Sequence, residues 1–155
     1  MSLHLDLQVA PGLAGVPGAE DLRRFAAAAL AAAPRAPAEA ELSVRVVDAG
    51  EMAALNARYR GRSGPTNELS FPFEAPPGVD LPFLGDLVVC APVVAREARE
   101  QGKLPEAHWA HMVVHGVLHL LGHDHQTPAE AEAMEALERT ALARLGFPDP
   151  YTVQE

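Results

Sequence analysis

His115, His119 and His125 lie in the run HGVLHLLGHDH, four and then six residues apart, with Gly122 between the last two. Residues four apart on a helix share one face, about 5–6 Å between Cβ atoms, so the first two imidazoles can point at one ion. Glycine enters the left-handed conformation that ends helices, so the chain can turn back at Gly122 and deliver the third ring. Three protein ligands leave one tetrahedral position free for water, the pattern of catalytic rather than structural zinc. The expected cofactor is therefore one zinc ion per chain. Imidazole sites also accept nickel, copper or iron, so the element is less well specified than the ligands.

A helix must carry the first two ligands. Pro105 suits a first helical position and Glu106 places negative charge in the first turn. Val113, Val114, Val117, Leu118, Leu120 and Leu121 are too many apolar residues for a surface helix, so this one should be buried. Gly116 inside it costs about 1 kcal/mol relative to Ala, which implies close approach by another segment or a ligand. A lone buried histidine is more often hydrogen-bonded than metal-bound. Three at this spacing favour the metal, because unpartnered buried imidazoles are costly. His111 with His115 forms a rival helical pair but lacks so convenient a third ligand. His108 and His111 read as surface residues or as supports for the ligands, Asp124 as a support, and His4 as exposed.

The spacing also matches the metzincin protease signature H-E-x-x-H-x-x-G-x-x-H except at its glutamate, where this chain has Gly116. The ligand geometry survives that change, while the general base for peptide hydrolysis is lost.

HGVLHLLGHDH resembles the H-G-x-L-H-L-x-G-x-D-H signature of the YbeY family, bacterial zinc-dependent endoribonucleases of ribosomal RNA maturation. Two further blocks carry the resemblance in the same order. Leu55-Asn56 with Tyr59-Arg60, then Thr66 to Phe73, is similar to L-N-x-x-Y-R…T-D-V-L-S-F-P-F, and Leu84 to Leu87 to L-G-D-I. The match spans roughly residues 41 to 147. Asn67-Glu68 replaces the usual Asp-Val, and His123 stands where tyrosine is common. The first change removes a carboxylate at position 67. The resemblance implies catalysis by Arg60, His115 and His119, substrate binding by Arg60 and Ser70, and metal binding by His115, His119 and His125. It also implies a single-stranded RNA substrate, processing of the small-subunit rRNA 3′ end, ribosome quality control, and contact with small-subunit components. No DNA substrate is expected.

The chain has 155 residues, consistent with one domain over 1–155. No apolar run reaches the roughly 18 residues that span a bilayer, and Asp6 and Gln8 interrupt the only apolar stretch near the N-terminus. The single cysteine, Cys90, reads as an inert core residue, and a reducing cytoplasm is the expected setting. A net charge of −9 argues against nucleic acid, which normally selects a basic patch. The charge is uneven, however. Glu130, Glu132, Glu135 and Glu138 crowd the last helix, whereas Arg58, Arg60 and Arg62 cluster ahead of Ser70. Arginines there also suit the negative end of a helix dipole. For Arg60 the resemblance favours a functional role.

Alternation of Leu3, Leu5, Leu7 and Val9 predicts a half-buried strand, as does that of Leu42, Val44 and Val46. An alanine-rich surface helix is expected over 19–33, and a second helix from an Asp48–Glu51 capping box to about Tyr59. Strands follow at 69–73 and 85–90, joined by a Pro- and Gly-rich connection at 75–81. A helix opened by Pro92 runs to Gln101, and Thr127 with Pro128 and Glu130 caps the last helix, which Gly146 ends. The order predicts an α+β fold: one mixed sheet of about four strands with about five helices packed on it. Strand–helix–strand connections of this length favour parallel neighbours, and the short 73–84 link permits one antiparallel pair. Three functions compete: a ribonuclease, a metalloprotease-like hydrolase, and a non-catalytic ribosome-assembly factor stabilised by zinc.

Overall fold

The structure, a computed structural model, describes residues 2–79 and 81–152; Asp80, within the expected 75–81 connection, lies outside them. The elements run β1 (Ser2–Val9), α1 (Ala19–Ala32), β2 (Glu39–Val47), α2 (Ala49–Arg60), β3 (Glu68–Pro72), β4 (Phe83–Cys90), α3 (Ala91–Gln101), α4 (Pro105–Leu120) and α5 (Pro128–Arg144). The four strands form one sheet in the order β1-β2-β4-β3. β1 and β4 each lie parallel to β2, while β3 pairs antiparallel with β4 at the sheet edge. The mixed α+β architecture is the one expected from the alternating strand and helix signals.

Strand alternation sorts the side chains between two cores. Leu42, Val44, Val46, Leu87 and Val89 face α1 and α4. Val47, Leu69, Val88 and Cys90 face the other way, onto Met52 of α2 and Val93 of α3. Burial raises the Cys90 thiol pKa, in keeping with an inert core residue. The alanine tract of α1 is not a surface helix. Ala26, Ala28, Ala29 and Leu30 are buried, and the small side chains let α1 pack closely on α4 and α5.

Local signals set the helix ends. Glu51 N–H donates to Asp48 Oδ1 at 2.8 Å, opening α2, and Glu130 N–H donates to Thr127 Oγ1 at 3.1 Å, opening α5. β3 begins at Glu68, one residue before the expected start, and its last residue is Pro72. β4 begins at Phe83, because a bulge at Leu84–Gly85 lets the strand continue across an irregular register with β2. The close approach of β3 excludes a side chain at Gly85: a Cβ there would overlap the carbonyl oxygen of Phe71.

Candidate metal centre

Helix α4 is the buried axis of the molecule, packed against α1, α3, α5, β3 and β4. His115 and His119 lie one turn apart near its C-terminal end, with ring centroids 4.7 Å apart. Past Leu120 the chain closes a Schellman turn. Gly122 N–H donates to the His119 carbonyl and His123 N–H to the Leu118 carbonyl, both at 3.0 Å. Gly122 has φ +97°, in the left-handed region where glycine is favoured. The turn places the His125 ring 5.7 Å from that of His115 and 5.1 Å from that of His119. One nitrogen from each ring lies within 4.8 Å of the other two. Three neutral imidazole donors converging this closely suit a tetrahedral ion such as zinc after a small inward adjustment.

Glu138 orients the first ligand. Its carboxylate, 1 % exposed, accepts hydrogen bonds from His115 Nδ1 at 3.1 Å, His111 Nε2 at 2.8 Å and the Tyr151 hydroxyl at 2.9 Å. Burial alone would raise its pKa. The hydrogen bonds and charges of His111 and His115 outweigh that effect and hold it at about 2. An ionised carboxylate only accepts, so the His115 proton sits on Nδ1 and its Nε2 lone pair remains for a metal. Burial lowers the His115 pKa, but Glu138, with a smaller contribution from Glu68, raises it overall. At His119, burial and the neighbouring rings of His115 and His125 lower it.

The other polar residues divide by neighbourhood. Arg60 is exposed at the end of α2; burial raises the Glu68 pKa against a small opposing contribution from Arg60, and burial lowers that of His119 with Arg60 adding slightly. The Arg58 guanidinium instead lies over the Tyr59 ring, 5.3 Å from its centroid. Ser70, expected to contact substrate, donates its hydroxyl proton to Glu68 Oε2 at 2.9 Å and approaches the Gly116 carbonyl at 3.4 Å. Asp124 accepts from the His125 backbone N–H at 2.7 Å, which fixes the turn rather than an imidazole. His4 is exposed, as expected.

The surface alternative for His108 and His111 is wrong. His108 is 2 % exposed and pairs with Glu97 at 2.9 Å, while His111 is 8 % exposed and shares Glu138 with His115. Position 67 also differs in kind from the expectation of a missing acid. Asn67 Oδ1 accepts from the Glu68 N–H and Asn67 Nδ2 donates to Glu97, while Glu68 brings a carboxylate to the face of α4.

Two residues at the site carry no role in the sequence argument, Glu138 and Glu68. For Glu138 a readable signal exists: it shares a helical face with Met134, Ala141 and Leu142, all buried. For Glu68 the signal is weaker: Gly116 lacks a Cβ chiefly because Leu87 Cδ1 occupies its place, with Glu68 Oε2 3.2 Å from that point.

Residues 18–146 match the family described as Endoribonuclease YbeY, so the likeness begins well before residue 41. A protein of that name from Alkalilimnicola ehrlichii is 60% identical over 157 residues, covering 99% of this chain and 94% of its own. The solution structure of TM1509 from Thermotoga maritima has a TM-score of 0.56 at 22% identity, covering 97% of this chain and 99% of that one. At that identity the likeness shows a shared fold. With the family match and the 60% identical relative together, the chain belongs to the YbeY endoribonuclease family.

Proposed function

We propose that the protein is a zinc-dependent endoribonuclease that cleaves single-stranded RNA. Its place is the maturation of ribosomal RNA at the small-subunit 3′ end and ribosome quality control, in contact with small-subunit components in the cytoplasm. The observation that carries the reading is the convergence of His115, His119 and His125, with His115 fixed from behind by Glu138. Zinc bound by these three imidazoles would supply Lewis acidity, lowering the pKa of a water from about 15.7 toward about 7.

The protein's own residues supply the rest. His115 and His119 hold the ion from one rigid helix, and His125 closes the site from the turn. Arg60, one helix away, offers five donors in a planar fork matched to phosphate, and neutralises charge growing on the non-bridging oxygens. Its charge, felt weakly at His119, supports a local positive contribution on a chain with net charge −9. Ser70 serves substrate indirectly, by holding Glu68.

Metal analysis of natively purified protein paired with a nuclease assay tests the reading. One zinc per chain, cutting of single- but not double-stranded RNA, and arrest by chelator are expected. Arg60→Ala should keep the zinc and cleave about 10²-fold more slowly, the scale of losing one charge-stabilising group. Casein cleavage with intact RNA would instead make it a protease. A large chelator-induced drop in melting temperature without turnover on any substrate would make the zinc structural. Water as nucleophile leaves monoester phosphate ends, whereas a 2′,3′-cyclic phosphate would assign attack to the RNA's own 2′-hydroxyl.

A further inference from the structure

Glu68 is a buried carboxylate without a structural explanation. It opens β3 with its side chain on the α4 side, 9 % exposed, and among the described residues only Ser70 donates a hydrogen bond to it, at 2.9 Å. Burying a carboxylate costs several kcal/mol unless partners compensate, and one hydroxyl is little compensation. Burial raises its pKa, and the opposing influences of His115 from α4, Ser70, Arg60 from α2 and His125 from the turn do not cancel that rise. It is not in the cluster of mutually close donor atoms that the three histidines form.

Gly116 gives this position its meaning. In the H-E-x-x-H signature the residue after the first histidine is the glutamate that acts as general base. Here that residue is glycine, and a Cβ built on it would lie 3.2 Å from Glu68 Oε2. The strand therefore delivers a carboxylate to the spot where the helix lacks one. We infer that Glu68 is the general base of this centre, supplied from β3 in place of the glutamate missing at position 116. Its role rests on the endoribonuclease reading above. The oxygen of a water forms the new bond to phosphorus while one of its protons passes to Glu68. The bond from phosphorus to the leaving ribose oxygen breaks, that oxygen takes a proton from solvent, and Glu68 returns its own to solvent. Ser70, donating to Oε2, fixes which carboxylate oxygen remains for the water.

The test compares wild-type and Glu68→Gln holoproteins, since glutamine keeps the size and the acceptor for Ser70. Zinc affinity is measured by chelator competition, and cleavage of a single-stranded RNA oligonucleotide by single turnover from pH 5 to 9. Expected are a zinc Kd within about tenfold of wild type, below the range of a lost ligand, and a loss of cleavage of about 10²–10⁴-fold. The loss should shrink toward pH 9, where hydroxide can take over the task of the base. Cleavage within about threefold of wild type, or zinc affinity lost in step with cleavage, overturns the inference; the second result makes Glu68 a ligand. If Glu68→Gln does not fold, Glu68→Asp is measured instead: zinc retention with partial cleavage supports the base, and cleavage equal to wild type overturns it. A wild-type holoprotein that leaves RNA uncut defeats the endoribonuclease reading itself, and the base with it.

Discussion

The two halves of α4 each carry a pair of histidines about one helical turn apart and do different things with them. In the first half His108 and His111 are buried, and each gives Nε2 to a carboxylate, Glu97 and Glu138. The Nδ1 atoms of both are buried and have no hydrogen-bond partner among the described residues. In the second half His115 also uses Glu138, but through Nδ1, and its other nitrogen meets those of His119 and His125. The difference lies in what surrounds the helix. The first half is enclosed by neighbouring elements, whereas the second ends at a glycine turn that returns a third imidazole. A stripe of histidines becomes a metal centre only where the chain reverses beside it.

The largest effect that tests this contrast is on metal content. His119→Ala should reduce zinc from one per chain to a trace and abolish cleavage, because two imidazoles do not make a closed site. His108→Gln, which keeps a donor for Glu97, should retain full zinc and lose only a few degrees of melting temperature. Elemental analysis of the two variants, purified side by side, decides the matter. Zinc lost equally from both would erase the distinction between the halves. A smaller effect is expected at the residue the halves share. Glu138→Gln should bind zinc about 10–100-fold more weakly, the usual consequence of removing a carboxylate behind a ligating histidine. Unchanged affinity by chelator competition would show that Glu138 merely satisfies His111.

What was legible in the sequence and what was not follow from the range of the interactions involved. The i, i+4 pair, the stop at Gly122 and the caps at Asp48 and Thr127 depend on near neighbours, so spacing alone locates them. The parallel pairs and the single antiparallel pair follow from connection lengths. Glu138 is the opposite case. Its place on the Met134, Ala141 and Leu142 face hints at burial, but its histidine partners come only from the packing of α5 on α4. The alanines of α1 look equally suited to solvent or to close helix packing, and tertiary contact chose the latter. Glu68 lies one residue before the strand expected at 69–73, and its carboxylate gains meaning only when β3 is laid against Gly116.

The smallest effect distinguishes the halves without any metal present. Glu138 has a pKa of about 2 in the folded protein against an ordinary 4.5, so the unfolded chain takes up a proton first as the pH falls. Its contribution to stability is complete above pH 4.5 and is lost progressively as the pH drops toward 2. His115 has the opposite sign. Its raised pKa stabilises the fold fully below 6.5, and that contribution fades as the pH rises through the folded value. Metal-free protein should therefore melt at lower temperature on both sides of a weakly acidic optimum. Each kcal/mol corresponds to about 2–4 °C in a chain of this size. Glu138→Gln removes the carboxylate and, with it, the cause of the His115 shift, so the drop between pH 5 and 2.5 should be smaller by on the order of 5 °C. Chelated samples followed by circular dichroism give the two curves. If they run parallel, the anionic pair of hydrogen bonds joining His111 and His115 does not stabilise the fold, and the two halves of α4 are held together by apolar packing alone.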